Sequence, residues 1–344
     1  MRGDERRARR PALVCAAGLA LVLALALLGI AEGATPLPFG SVLRVLLAPL
    51  APGLDAGVGA PLHRIVLDLR LPRVILAACT GSGLAVVGAL LQTTTRNDLA
   101  DPFLFGLSSG AAAGAVSVIT LFGYRLGPWT LPAAAFAGAL LSAAIVFGLV
   151  STQNGRGGER LVLAGLATSF LFGAVTLFLV FAGDQRATTS VLFWSVGGLG
   201  LAAWDNLPVG LAGAGVAIAT GLGLRAQLDA LLAGEDTAAS LGVDVRRLRG
   251  AVFLLCALST AALVALAGVI GFVGLMVPHV ARALVGVRHG PLVATSALMG
   301  AALLLGGDLV SRTVLAPQEL PVGIVTAAAG GLFVLALVVR RPGA

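Results

Sequence analysis

The chain contains no lysine; all 23 of its basic residues are arginine. A phosphate-binding P-loop needs a lysine behind its glycines, so ATP binding by that route is excluded. Charge of either sign is scarce, at 11% of 344 residues, where a soluble globular chain carries about a quarter. The formal sum is +7, but the arginines fall in short loops between apolar runs, which is not a nucleic-acid footprint. Cysteine is rare too. Cys15, Cys79 and Cys256 stand inside apolar runs, without metal-ligand spacing or a pairing framework, and read as small buried hydrophobes. No nucleophile triad, paired-carboxylate site or metal cluster emerges, so neither catalysis nor a cofactor is expected.

Apolar residues and glycine are what the chain does have, at 58% and 47 positions. A bilayer core takes about 20 apolar residues per helix. Such stretches run near 11–31, 73–93, 104–122, 129–150, 161–182, 190–200 joined to 206–224, 250–269, 271–286, 291–311 and 321–339. The expected fold is therefore one all-α polytopic domain of about ten transmembrane helices, spanning residues 1–344. Helices in lipid associate by close backbone approach, and Gly81, Ala85 and Ala89 form one smooth face of that kind. The first stretch follows Arg6, Arg7, Arg9 and Arg10 but exceeds a signal-peptide core in length, so it reads as a retained helix.

Arginine placement sets the orientation. With both termini in the cytoplasm, only seven of the 23 arginines stand outside: Arg44, Arg64, Arg70, Arg73, Arg125, Arg186 and Arg312. Two polar segments are too long for turns, the outer Glu32–Leu71 and the inner Arg225–Arg249. In the inner one, Glu235 and Asp236 suit the positive end of a short helix and Gly242 its stop, while Asp244 suits a cap on a turn leading into Arg246 and Arg247. The stretch from Gln92 to Gly110 is polar where lipid demands apolar residues. It is expected to face protein or a watery path, with Asn97, Asp101, Ser108 and Ser109 capping broken helix ends. Asp308 stands four residues before Arg312, a spacing that lets the two neutralise each other. His279 follows Pro278 and reads as a helix residue rather than a heme ligand. His63 and His289 read as loop residues without a clear role.

Several runs then match a known family. Arg70-Leu71-Pro72-Arg73, Arg96 to Pro102 with Gly106, Ser108, Ser109 and Gly110, Gly234 to Ala238 with Ser240 to Val243, Ile270 to Leu275 with Val277-Pro278-His279, and Glu319 to Thr326 together resemble the FecCD-type permeases. These are the membrane subunits of ABC importers for ferric siderophores, heme and cobalamin. The resemblance implies the ABC type II importer permease fold in a bacterial cytoplasmic membrane. It implies two cytoplasmic ATPase subunits, a second permease subunit (identical or not) and a periplasmic or lipid-anchored substrate-binding protein. On the same resemblance, Arg70, Arg73 and Arg312 match residues that dock the binding protein. Gly234, Glu235, Asp236, Ala238, Leu241 and Gly242 match the ATPase-coupling segment. Gln92, Asn97, Asp101, Ser108 and Ser109 match the inner end of the translocation path. Asp98 stands where the family usually has proline. The alternative class is a proton-coupled secondary transporter built on an intramembrane carboxylate such as Asp308, but no inverted repeat is evident.

Overall fold

The computed structural model describes residues 2–33, 35–51, 53–55, 57–122, 127–151, 157–183 and 191–340. Of the arginines used for orientation, Arg125, Arg156, Arg186 and Arg341 lie outside the described residues. All regular secondary structure among the described residues is helical, with no strand.

Ten helices occupy the ten expected stretches: α1 (Arg2–Ala31), α4 (Leu71–Thr95), α5 (Leu107–Leu121), α6 (Thr130–Ser151), α7 (Gly157–Ala182), α8 (Leu207–Gly223), α11 (Val245–Ala267), α12 (Val273–Val285), α13 (His289–Thr313) and α14 (Val322–Arg340). Shorter helices fill the two polar segments, with α2 (Phe39–Leu47) and α3 (Ala60–Arg64) in the one before α4, and α9 (Arg225–Leu232) and α10 (Glu235–Ser240) in the one after α8. Among the described residues, seven helical runs are long and apolar enough to cross a bilayer alone, and α8 bends by 61° into α9.

Two expected crossings come out short. α5 has 15 residues and α12 has 13, so at 1.5 Å per residue neither covers a core about 30 Å thick. Each follows unwound backbone, at 96–101 and 268–272. Such backbone is tolerated at depth only where protein buries it or where it lines a water-filled cavity. A third unwound stretch follows a short helical turn at 191–195, in the sixth expected span, and runs to residue 206.

The molecule is arranged around α4, 20 of whose 25 residues are buried. It packs against α1, α8, α11, α12 and α13. Two of these contacts are backbone on backbone. A Cβ on Gly81 would lie 2.1 Å from the carbonyl oxygen of Gly300 in α13, and one on Gly88 would lie 1.9 Å from that of Gly274 in α12. Only glycine permits that approach. At the periphery, α1, α7 and α14 bury less than a quarter of their apolar windows.

The helix carrying α4 begins earlier than expected. From Ala60 through a π-helical turn at Ile65–Arg70 to Thr95 the chain is continuously helical. Arg70 and Arg73 thus belong to the interior of a long helix rather than to its mouth.

Candidate functional site

Polar side chains gather at both ends of α4. At its N-terminal end, the outer one in the orientation expected from the arginines, Asp308 of α13 is 1% exposed and lies between two arginines. Arg73 Nη2 approaches Asp308 Oδ1 at 2.9 Å, and Arg312 Nε approaches Asp308 Oδ2 at 2.9 Å. The expected pairing of Asp308 with Arg312 is present, and Arg73 joins it. Arg73 also donates from Nη1 to Glu319 Oε2 at 2.7 Å.

Arg70 and Arg312 turn their remaining donors on the end of α1. Arg70 Nη1 donates to the carbonyls of Ile30 and Ala31, both at 2.7 Å, and Nη2 donates to Thr35 O. Arg312 donates to Gly29 O at 2.9 Å and Glu32 O at 3.0 Å. The last carbonyls of a helix have no partners within it and carry its negative pole, which is what a guanidinium satisfies. These two arginines are 8% and 3% exposed. The three arginines stand together at this end of α4, as expected, but they differ in burial. Arg70 and Arg312 are buried clamps on α1, and only Arg73 and Glu319 reach the rim. Charge is also balanced there, since Glu32 beside Arg70, Asp308 and Glu319 offset the three arginines.

Beside that rim lies an open cavity of about 440 Å³, bordered by Arg73, Glu319, Trp194, the run Gly197–Gly200, Gly268 and Pro321. The unwound stretches meet here. Gly198 N donates to Ala267 O at 2.9 Å, and Gly197 (φ +74°) packs on the carbonyl of Val269.

At the inner end, α4 stops on Arg96, which is left-handed at φ +53°. Asn97 N bonds Gln92 O at 3.1 Å and Arg96 N bonds Thr93 O at 3.2 Å, a Schellman closure without glycine. Asn97 Oδ1 then accepts from Leu99 N, and Asp101 Oδ1 accepts from Phe103 N at 2.9 Å to cap a 3₁₀ turn, Pro102–Phe105. Burial pushes the Asp101 carboxyl up to about 6. Ser108 is buried in the first turn of α5, its hydroxyl without a hydrogen-bond partner among the described residues, and Ser109 beside it is half-buried.

Three successive residues in the last turn of α4 each meet a basic side chain. Gln92 Oε1 accepts from Arg282 Nη1 at 2.6 Å, and its amide donates to the carbonyls of Ala100, Gly274 and Leu275. Thr93 Oγ1 lies 3.0 Å from His289 Nε2. Thr94 O accepts from Arg249 Nε at 2.8 Å. Each base continues to a carboxylate: Arg282 to Asp98 at 3.6 Å, His289 Nδ1 to Asp229 at 2.6 Å, and Arg249 to Glu235 at 2.6 Å.

The inner segment folds as its residues suggest. Glu235 and Asp236 open α10, Gly242 follows its end at φ +82°, and Asp244 Oδ1 accepts from Arg247 N at 3.0 Å to cap α11. Ala238 faces inward. Leu241, by contrast, is 68% exposed at the tip. A second cavity, of about 610 Å³, lies behind Leu241–Asp244 against Leu224, Gln227 and Ala251. Among the described residues no group of three His, Cys, Asp or Glu side chains is placed to hold a metal ion.

The model of the FecCD transport family matches residues 21–340, nearly the whole chain. The chain belongs to that family. The FecCD match is supported by curated relatives. It is 40% identical over 305 residues to the cobalamin import system permease BtuC of Halobacterium salinarum, covering 89% of this chain and 80% of that one. It is 41% identical over 281 residues to the hemin transport system permease HmuU of Yersinia pestis, covering 80% and 84%. A solved structure described as an inward-facing conformation of a metal-chelate type ABC transporter superposes with a TM-score of 0.82 at 28% identity, covering 95% of this chain and 99% of that one. This chain is thus a membrane-spanning permease subunit of the ABC importer type.

Within this FecCD chain, reading the sequence missed His289, Arg249, Arg282 and Asp229, which complete the inner cluster. It also missed the glycine junction beside the outer cavity. The signal for that junction was present: Gly197-Gly198 and Gly200 interrupt an apolar run, as glycines do where backbones meet. His279 packs edge-on against Phe333 with ring centres 5.6 Å apart, as a helix-packing residue.

Proposed function

We propose that this permease carries a metal chelate of the siderophore, heme and cobalamin class inward across the cytoplasmic membrane. Delivery is by a soluble or lipid-anchored binding protein outside, and the work is supplied by a separate ATPase inside. The reading rests chiefly on the family match across residues 21–340, together with relatives named for cobalamin and hemin import. Both termini face the cytoplasm, and a second permease subunit completes the path.

Residues 225–249 are the ATPase-coupling segment, with Gly234, Glu235, Asp236, Ala238 and Gly242 shaping α10 and Leu241 as its apolar contact. Leu241 follows the short helix α10 outside the long spans and is left exposed, an apolar side chain that a partner's surface can cover. The binding protein docks on the rim formed by Arg73 and Glu319, while Arg70 and Arg312 hold α1 in place beneath it. Gln92, Asn97, Asp101, Ser108 and Ser109 shape the inner end of the path. A proton-coupled mechanism would need a carboxylate free to load and release its proton, and Asp308 is held by two arginines at 2.9 Å.

The test is reconstitution in proteoliposomes with the cognate ATPase and binding protein, offering cobalamin, heme and a ferric siderophore in turn. Uptake of one of them should require all three components and ATP. The permease alone should hydrolyse nothing. Uptake driven by a proton gradient without the ATPase would overturn the reading.

A further inference from the structure

The inner cluster is more than a helix end with its carbonyls satisfied. Thr94 O belongs to the last turn of α4, where carbonyls lack intrahelical partners, and a single arginine would complete it. Arg249 does so, but it comes from α11 and its other nitrogen holds Glu235, in the first turn of α10. His289 repeats the arrangement from α13. Its side chain is fully buried, its Nε2 edge faces Thr93, and its Nδ1 faces Asp229 of α9. Asp229 Oδ1 also accepts from the backbone N–H of His289 at 2.9 Å, so this carboxylate is held twice. An ionised carboxylate only accepts, which places the Nδ1 proton on the ring.

The two carboxylates share a property. Asp229 and Glu235 both lie on the short helices of the inner segment, outside the spans, and each is 37% exposed. Through His289 and Arg249 they reach Thr93 and Thr94, on the most buried of the long apolar helices. From there Gln92 continues to α12 through Arg282, to the carbonyls of Gly274 and Leu275, and to Ala100. Asp98 closes that side on Arg282.

We propose that His289 and Arg249 are the positioning residues that deliver movement of α9 and α10 to the inner end of α4, with Gln92 and Arg282 passing it to the loop 97–101. The clamps are short and charge-assisted, so they resist stretching, whereas an apolar contact slides. This inference rests on residues 225–249 being the coupling segment.

The experiment uses the complete transporter with its ATPase and binding protein, and reads cargo taken up per ATP hydrolysed in assembled complexes. Asp229→Asn combined with Glu235→Gln weakens both clamps without opening a cavity. It should lower that ratio about fivefold or more while the ATPase still co-purifies. His289→Gln should lower it as well, and adding Asp229→Asn should cost little further, because the two residues form one link. A wild-type ratio in the assembled carboxylate double variant overturns the proposal. So does failure of that variant to assemble, which would make the clamps structural supports. Should His289→Gln not assemble, the carboxylate pair still decides. Leu241→Asp separates the premise from the inference. If it keeps the ATPase bound, the coupling segment is misassigned; if it loses the ATPase while the clamp variants keep their ratio, only the inference fails.

Discussion

The two ends of α4 use the same chemistry to different effect. Outside, Arg70 and Arg312 reach backbone carbonyls of α1, and Asp308 holds Arg73 and Arg312 from within α13. Most of these partners are buried and belong to long helices. Inside, the bases reach carboxylates that are more than a third exposed, on short helices or on the loop at Asp98. Water competes for an exposed carboxylate and not for a buried one. The outer end is therefore built as a lock, and the inner end suits the linkage proposed above. An arginine at a helix end does not by itself say which; the burial of its partner does.

Removing the core of the lock should have the largest effect. Asp308→Ala leaves the buried Arg312 guanidinium without its carboxylate and Arg73 with Glu319 alone, and breaking such a network costs about 3–5 kcal/mol. Thermal unfolding of the purified permease should show it clearly, with Asp229→Ala at the inner end losing distinctly less. Equal losses would erase the distinction between the two ends.

A smaller effect, of opposite sign, is expected from Asp101. Its carboxyl is raised to about 6 from 3.8, so the folded protein holds a proton that the unfolded chain has released between those values. The associated stability is full below about pH 3.8 and is lost as pH rises through about 6. Asp101→Asn keeps an acceptor for Phe103 N and removes the charge. It should raise stability at pH 7 by about 2–3 kcal/mol, a gain that fades as the pH is lowered towards 4. A gain independent of pH would mean that burial of the charge is not the cause.

Smallest is the effect at the outer rim. On the proposed docking at this rim, Glu319 competes for Arg73 with any carboxylate that a binding protein brings. Glu319→Gln should therefore tighten docking, by up to about fivefold at low salt and less at high salt, as an exposed pair allows. Weaker docking in that variant would show Glu319 itself to be a contact.

Local signals in the sequence were legible, and long-range ones were not. The α10 start at Glu235 and Asp236, the stop at Gly242 and the Asp244 cap each depend on neighbours within a few residues, and all three are present in the fold. The ten apolar stretches were legible for the same reason. Hydropathy reports apolarity and not depth, however, so α5 and α12 looked like full crossings. His289 gave no sign at all, because Thr93 and Asp229 lie 196 and 60 residues away along the chain. The burial of Arg70 was hidden likewise, since the carbonyls it holds are about forty residues upstream.

The contacts of Gly81 with Gly300 and of Gly88 with Gly274 have a consequence for anyone measuring motion in this protein. Slack between packed helices comes from side chains changing rotamer, and at these two points no side chain lies between the backbones. The outer half of α4 is thereby registered to α13 and its inner half to α12, like two teeth on one rack. A probe on any of the three helices reports the position of all three. Movement delivered to the inner end of α4 is therefore expected to appear in all three together, and displacements of α5, α8 and the unwound stretch at 196–206 are best recorded relative to them.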